Sequence, residues 1–455
     1  MPILPIDSRR YLTAEMERIF EEEARLQYML DVEAALAWAL AEVGLIPKRA
    51  ASRIAEKASV SHVRLERVKE LERQLDHDVM AMVEALAEVC GEAGKYVHYG
   101  ATSYDIVDTA MGLQLKEALN VLEARLSRLE EVLIRLARRH KRTLMAGRTH
   151  GQHALPITLG LKFAVWLREV SRHLQRLRQC RNRVVVGKLT GAVGTQAGFG
   201  PEGLKIQRLV MEKLGLKPVE VSTQIVQRDR HAELVCLLAV IASTLDKFAT
   251  EIRELQRTEI GELAEPFRLG RQVGSSTMPH KVNPIRCERI CALAKIVRSL
   301  TVPALENVVS WQERDLSNSA AERFIIPEAL ILTDYMVDLM AKVLEGLRVD
   351  KQRMRENLKL TRGRIMSEAV MLALTRKGMG RQEAHRLLRE LTAESLLENK
   401  DFRQVLLESK AVRQYLNVKE IDEALKPENY LGTTLQQIDE AVKQTLKERR
   451  GRKRA

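Results

Sequence analysis

A chain of 455 residues exceeds the size at which one hydrophobic core keeps growing, so two or three domains are expected. Hydrophobic residues make up 45% of it and aromatic ones only 4%, with Gly and Pro sparse, which predicts an all-α chain whose core is mainly Leu, Val, Ile and Ala. The net charge of +13 admits a polyanionic partner, but Lys and Arg are spread along helical patterns without interleaved aromatics. That pattern disfavours nucleic acid and suits steering of a small acidic substrate. Five cysteines, odd in number and mostly inside apolar patterns, point to buried thiols in a reducing compartment. The opening MPILPIDSRR has no apolar signal core and the longest wholly apolar run, Leu234 to Ala242, is too short for a bilayer, so a soluble cytoplasmic protein without membrane contact is expected.

In chain order, residues 1–103 read as a small helical domain ending in the loop HYGATS. Residues 104–348 read as a bundle of long helices. Leu115, Leu119, Leu122, Leu126, Leu129, Leu133 and Leu136 alternate steps of four and three, the seam of a helix from about Val107 to Thr143, roughly 55 Å long at 1.5 Å per residue. Further helices are predicted over Gly160–Val186, Val219–Ile260, Ile285–Ser310 and Pro327–Leu347. Residues 349–455 read as shorter amphipathic helices punctuated by Gly363, Gly378, Gly380 and Pro427, ending in a frayed basic tail, Lys447 to Arg454. Long helices with apolar stripes must bury them against one another, within the chain or across subunits, so a closed symmetric oligomer is expected.

The segment GSSTMPHKVNP, Gly274 to Pro284, lies between two such helices within a loop taken as 270–284. Gly270 and Gly274 free the backbone, Ser275, Ser276 and Thr277 offer hydroxyls and closely spaced N–H groups for an anion, and Pro279 and Pro284 stiffen the far end. The combination resembles the signature of the fumarase/aspartase superfamily, whose members eliminate fumarate from substituted succinates. Further constellations resemble its adenylosuccinate lyase branch across nearly the whole chain: Arg10-Tyr11; His77-Asp78; His98 with Thr102-Ser103; GRTHGQHALP with Thr149 and His150; and the pair STQIVQRDRHAE and WQERDLSNSAAERFIIP.

The resemblance implies Ser275 as the base, His150 as the acid that protonates the leaving nitrogen, His77 as its positioning partner and Glu288 as the carboxylate beside it. It implies Lys281 and Asn283 as donors to the developing charge, with Ser276 in the same loop. Thr102 and Ser103 would bind a substrate carboxylate, with Asp78, His98 and Thr149 nearby. Arg10, Tyr11, Arg314, Ser319 and Arg323 would grip a nucleotide phosphate and ribose, with Gln224 and Arg289 as amide and anion contacts. An anionic succinyl nucleotide is the implied substrate and a homotetramer with shared active sites the implied assembly. No cofactor or metal is implied: Cys287 and Cys291 lack a second ligand pair, and Gly151 and Pro156 argue that His150 and His153 lie on a turn rather than one helix face. Rival readings are a carboxymuconate cycloisomerase or argininosuccinate lyase and, from another class, an inactive basic nucleic-acid-binding scaffold; the RDLSNSAAER set and the intact Ser275, His150 and Lys281 weigh against them.

Overall fold

The computed structural model describes residue 6 and residues 8–268 and 270–454; the MPILP start lies outside it. The helices in order are α1 (Ala14–Phe20), α2 (Glu22–Glu42), α3 (Lys48–Lys57), α4 (Leu65–Leu75), α5 (Asp78–Cys90), α6 (Ser103–Arg139), α7 (Leu159–Val184), α8 (Gly203–Leu214), α9 (Asp229–Leu255), α10 (Ile285–Ser299), α11 (Thr301–Glu306), α12 (Ser319–Glu345) and α13 (Lys351–Lys359). Six more follow: α14 (Ser367–Arg376), α15 (Arg381–Leu397), α16 (Phe402–Glu408), α17 (Lys410–Arg413), α18 (Val418–Ala424) and α19 (Thr434–Arg454). The chain is all-α apart from three two-stranded pairings: β1 (Leu144–Thr149) with β2 (Gln152–Thr158) and β5 (Leu263–Ala264) with β6 (Arg348–Val349), both antiparallel, and β3 (Val186–Gly187) with β4 (Lys217–Pro218), parallel.

The seven leucines of the α6 seam are each at most 9% exposed, so the four-three spacing does mark a buried stripe. Helix limits depart from the periodicity where other contacts compete. Residues 219–228 do not continue α9 backwards, because Val219 donates its N–H to the carbonyl of Gly187 and packs with Val186 and Val226 in a small apolar cluster. The helix expected over Ile285–Ser310 is broken into α10 and α11. Helix α12 starts at Ser319, eight residues earlier than the apolar pattern predicts, and takes Pro327 into its interior. A proline there leaves the carbonyl one turn back, that of Arg323, without its helical donor.

The chain forms two compact units, residues 1–127, 173–246 and 290–339 in the first and 128–172, 247–289 and 340–455 in the second. In the first, α2 packs on α3 and α8, and α4 on α5. In the second, α13 lies on the β1–β2 hairpin, Trp166 stacks on Phe248 with ring centroids 4.4 Å apart, and an apolar core around Phe402 unites α14 to α18. The basic tail is not frayed. It is the end of α19, where Glu448 pairs with Arg168, Arg449 with Glu131 and Arg452 with the buried Glu130.

Truncating the α6 seam removes buried volume that the neighbouring side chains cannot refill, so Leu122→Ala should lose about 2–5 kcal/mol in guanidinium unfolding. A loss under 1 kcal/mol would show that this stripe is not part of the core.

Candidate active site

In the first unit a cleft of about 540 Å³ gathers His77, Asp78, Ser103, Arg314, Ser319 and Arg323, residues scattered over almost 250 positions of sequence. His77 caps α5: its Nδ1 accepts the N–H of Met80 at 3.2 Å, which leaves Nε2 as the protonated nitrogen. Asp78 accepts from Arg323 at 2.6 Å and also pairs with Arg25 at 3.7 Å. Burial lowers the pKa of Arg25, and the nearby Arg323 lowers it further, so one carboxylate here serves two mutually repelling cations.

Two residues that sequence reasoning passed over shape this cleft. Arg25 is the first. The second is Tyr104, only 8% exposed, whose hydroxyl donates to Ser319 at 2.9 Å and whose ring lies 3.5 Å under the guanidinium carbon of Arg314. Arg314 donates to Gln224 at 2.8 Å, while its buried Nε has no hydrogen-bond partner. Gln224 therefore enters as a support for Arg314, its own amide donating to the carbonyl of Ala192. The only sequence signal for Tyr104 was an aromatic lodged inside the polar run TSYD, and aromatics usually mark core.

Behind the cleft, Arg228 forms bidentate bonds to Asp108 at 2.8 and 2.9 Å and to Glu322 at 2.8 and 3.0 Å, tying α6 to α12. Burial alone would push the Glu322 carboxyl up, but His231 and Arg228 overcome it and hold it at about 2. At the head of α6, Asp105 accepts from the backbone of Thr102, Thr190 and Gly191 and from the fully buried Lys188 at 2.5 Å. Thr102 thus makes half of a capping box, and its side chain does not line the cleft. His98 is likewise turned to structure: its Nδ1 is 2.6 Å from the buried Glu33, whose hydrogen bond and charge outweigh the effect of burial and raise the imidazole pKa. Arg10 is exposed, Tyr11 packs edge-on against Tyr335, and Thr13 anchors the segment on Asp334 at 2.7 Å.

In the second unit the catalytic-loop candidate is fastened at its base. The buried Glu265 accepts the N–H groups of Arg286 and Cys287 at the start of α10, where a carboxylate matches the positive end of the helix dipole. Within the loop, Ser275 Oγ accepts the N–H groups of Thr277 and Met278 at 3.3 and 3.0 Å. Donors aimed at that oxygen favour its alkoxide. Asn283, expected as a substrate donor, spends its amide on the carbonyl of Gly274 at 2.8 Å. Gly270 has φ of +74°, the freedom expected of it. Gly274 is needed for a different reason: a Cβ there would meet the carbonyl oxygen of Lys281 at 2.0 Å. Lys281, Asn283 and Glu288 line a cleft of about 1130 Å³, which Ser275, Ser276 and Arg289 do not line.

Thr149 and His150 stand at the tip of the β1–β2 hairpin, where His150 and Gly151 both have positive φ, 52° and 72°, in a two-residue turn. His150 is exposed, and neither it nor Glu288 has a side-chain partner within the chain among the described residues. The hairpin is pinned by Arg148, bidentate to the buried Glu262 at 2.7 and 2.9 Å. His153 lies on β2 opposite Arg148, so His150 and His153 do not share a helix face. No group of three or more His, Cys, Asp or Glu suited to a metal ion occurs among the described residues.

The long-helix fold is that of a fumarase/aspartase-type lyase, and the family described as Lyase matches residues 10–298. Adenylosuccinate lyase C-terminus matches residues 363–441. The chain is 50% identical to adenylosuccinate lyase of Methanocaldococcus jannaschii, over 99% of this chain and 97% of the relative, and 53% identical to that of Pyrococcus horikoshii, over 99% and 100%. Among solved structures it is similar to fumarate lyase from Mesorhizobium sp. BNC1 (TM-score 0.89, 35% identity, 95% of this chain and 98% of the other). It is also similar to 3-carboxy-cis,cis-muconate lactonizing enzyme from Pseudomonas putida (TM-score 0.90, 34%, 98% and 100%). The chain belongs to the adenylosuccinate lyases of the fumarase/aspartase superfamily and is a carbon–nitrogen lyase.

The Glu322 carboxyl lies below its ordinary value of 4.5, so its contribution to stability is full above about 4.5 and is lost as pH falls toward 2. Wild type should lose stability across that window in acid titrations at constant denaturant. Glu322→Gln should be less stable at neutral pH and show a shallower decline; parallel profiles would remove Glu322 from the acid response.

Proposed function

We propose that the chain eliminates fumarate from adenylosuccinate, giving AMP, and from succinylaminoimidazolecarboxamide ribotide, giving the free carboxamide ribotide. The observation that carries this reading is the cleft in which Arg25, Arg314 and Arg323 converge with Ser319, one guanidinium nitrogen buried without a partner and two cations sharing one carboxylate. A phosphate dianion supplies what those groups lack. A muconate substrate carries no phosphate and leaves them unanswered.

In the proposed reaction Ser275, as alkoxide, takes the proton from the succinyl carbon next to a carboxylate. The C–H electron pair is held first as an aci-carboxylate, stabilised by Lys281 and the loop N–H groups, and then forms the carbon–carbon double bond of fumarate. The carbon–nitrogen pair departs with nitrogen, which receives a proton from His150 with His77 and Glu288 as its supports. Ser103, Thr149 and Ser276 are proposed to hold the substrate carboxylates, and Asp78, His98, Thr102, Asn283 and Gln224 to position the groups that touch it. Arg10, Tyr11 and Arg289 complete the anion contacts. The loop 270–284 closes on the substrate and excludes water.

A cytoplasmic homotetramer with active sites shared between subunits fits this scheme. Val302, Val309, Trp311, Leu316 and Phe324 are 59–79% exposed, an apolar surface suited to another subunit, and other subunits can supply partners to His150 and Glu288. Light scattering should return four times the chain mass of 51.7 kDa; a monomer would end the shared-site scheme.

Conversion of adenylosuccinate with fumarate identified as product tests the reaction. Ser275→Ala should lose roughly 10³-fold or more in kcat, the scale of a group acting in the transition state. Arg323→Ala should raise KM about tenfold or more, with kcat less affected, as loss of a charge-assisted phosphate contact predicts. Tyr104→Leu should do the same through Arg314, with Tyr104→Phe, which keeps the ring under the guanidinium, in between. Wild type inactive on both nucleotides, or an unchanged KM in Arg323→Ala, would pass the lead to the cycloisomerase reading.

A further inference from the structure

A second cavity, of about 830 Å³, lies in the second unit among the end of α6, the start of β1, α13 and the head of α19. Its size is that of a nucleotide-scale pocket. Arg139, Arg142, Lys351 and Arg355 all line it, against a single carboxylate, Glu428. None of the four cations is engaged by a carboxylate or other hydrogen-bond acceptor among the described residues. Cations one or two residues away in sequence are treated differently: Lys141 pairs with Asp439 at 2.5 Å, and Arg353 donates to the carbonyls of Ile260 and Glu259. Four converging guanidinium and ammonium groups repel one another, and the pocket lacks the negative charge that would offset them. Beneath them, the buried His140 is held down at about 4, by burial first and then by Arg139 and Lys351, so the imidazole stays neutral and adds nothing to the repulsion.

We propose that this pocket binds a multiply charged phosphate anion, either free pyrophosphate or the phosphate tail of a nucleoside triphosphate. Three to four negative charges match the four cations less Glu428, and guanidinium forks pair with phosphate oxygens two at a time. Lys351 also lines the cleft that holds Lys281, Asn283 and Glu288, so an anion seated here touches the wall of that cleft.

The test is calorimetric titration of the full chain with inorganic pyrophosphate, ATP and adenosine. Three proteins are compared: wild type, the exposed double variant Arg142→Ala/Arg355→Ala, and Arg323→Ala. Pyrophosphate should bind wild type and Arg323→Ala alike, weaken by at least about tenfold in the double variant, the loss expected for two charge-assisted contacts, and weaken with added salt. Adenosine should not bind. Binding of pyrophosphate without ATP assigns the pocket to a free phosphate anion, and binding of both extends it to the nucleotide tail. Binding unchanged in the double variant, binding lost in Arg323→Ala instead, or equal affinity for ATP and adenosine would overturn the proposal. So would dissociation of the double variant into smaller species by light scattering, because the cations would then be answering acidic groups of a neighbouring copy. Lyase activity, measured in parallel, fails or survives independently of these outcomes.

Discussion

Arg228 uses all five of its N–H donors: two bonds go to Asp108, two to Glu322 and one to the carbonyl of Val226. At 3% exposure the guanidinium has no recourse to water, so the helices that supply its partners are held in a single mutual register. Glu322 precedes Arg323 and lies one turn beyond Ser319, and Asp108 lies one turn beyond Tyr104. The helix starts that carry Ser103, Tyr104, Ser319 and Arg323 are therefore set by one buried cation. Removing a partner would strand a charge at about 3–5 kcal/mol, far more than a surface pair costs. The same logic recurs at the head of α6, where Lys188 and three backbone N–H groups converge on Asp105.

The loop of the second unit follows a complementary principle. Its base is fixed to the start of α10 by Glu265 and its interior is stitched by Asn283 to Gly274, while Ser275 itself is touched only by backbone donors. In a rigid frame with a lightly held hydroxyl the backbone donors are already oriented toward Ser275 Oγ, so any negative charge placed on that oxygen would meet them without rearrangement. The hairpin tip at His150 is built in the same manner, strain at φ of 52° being held in place by the strand pairing and by Arg148 on Glu262.

The basic character of the chain divides into cations with distinct uses. Arg148, Lys188 and Arg228 are structural, answered by buried carboxylates. Arg449 and Arg452 of the basic tail dock α19. Arg25, Arg314 and Arg323 remain to face a cleft, and Arg139, Arg142, Lys351 and Arg355 a second cavity.

Sequence alone was enough for the helical class, the α6 seam and the loop of residues 274–284, and it singled out His77, Asp78, Ser103, Arg314, Ser319 and Arg323, which line the arginine cleft, because heptad spacing and clustered motifs are local properties of the chain. Helix limits were less legible: the start of α9 yields to the Val219–Gly187 bond, and α12 runs through Pro327. Tyr104 and Arg25 were invisible as cleft residues, since each owes its place to a residue more than 200 or 50 positions away, Arg314 and Ser319 for the first and Asp78 for the second. In the tertiary structure His98 bonds Glu33 and Thr102 bonds Asp105 rather than lining the cleft, and Asn283 and Gln224 have intramolecular partners. What the sequence determined by itself was which chemical groups are present and on which elements; which of them face a ligand and which face one another was decided only by packing, because a side chain's partner depends on the register between helices, and that register is set by buried ion pairs far apart in sequence.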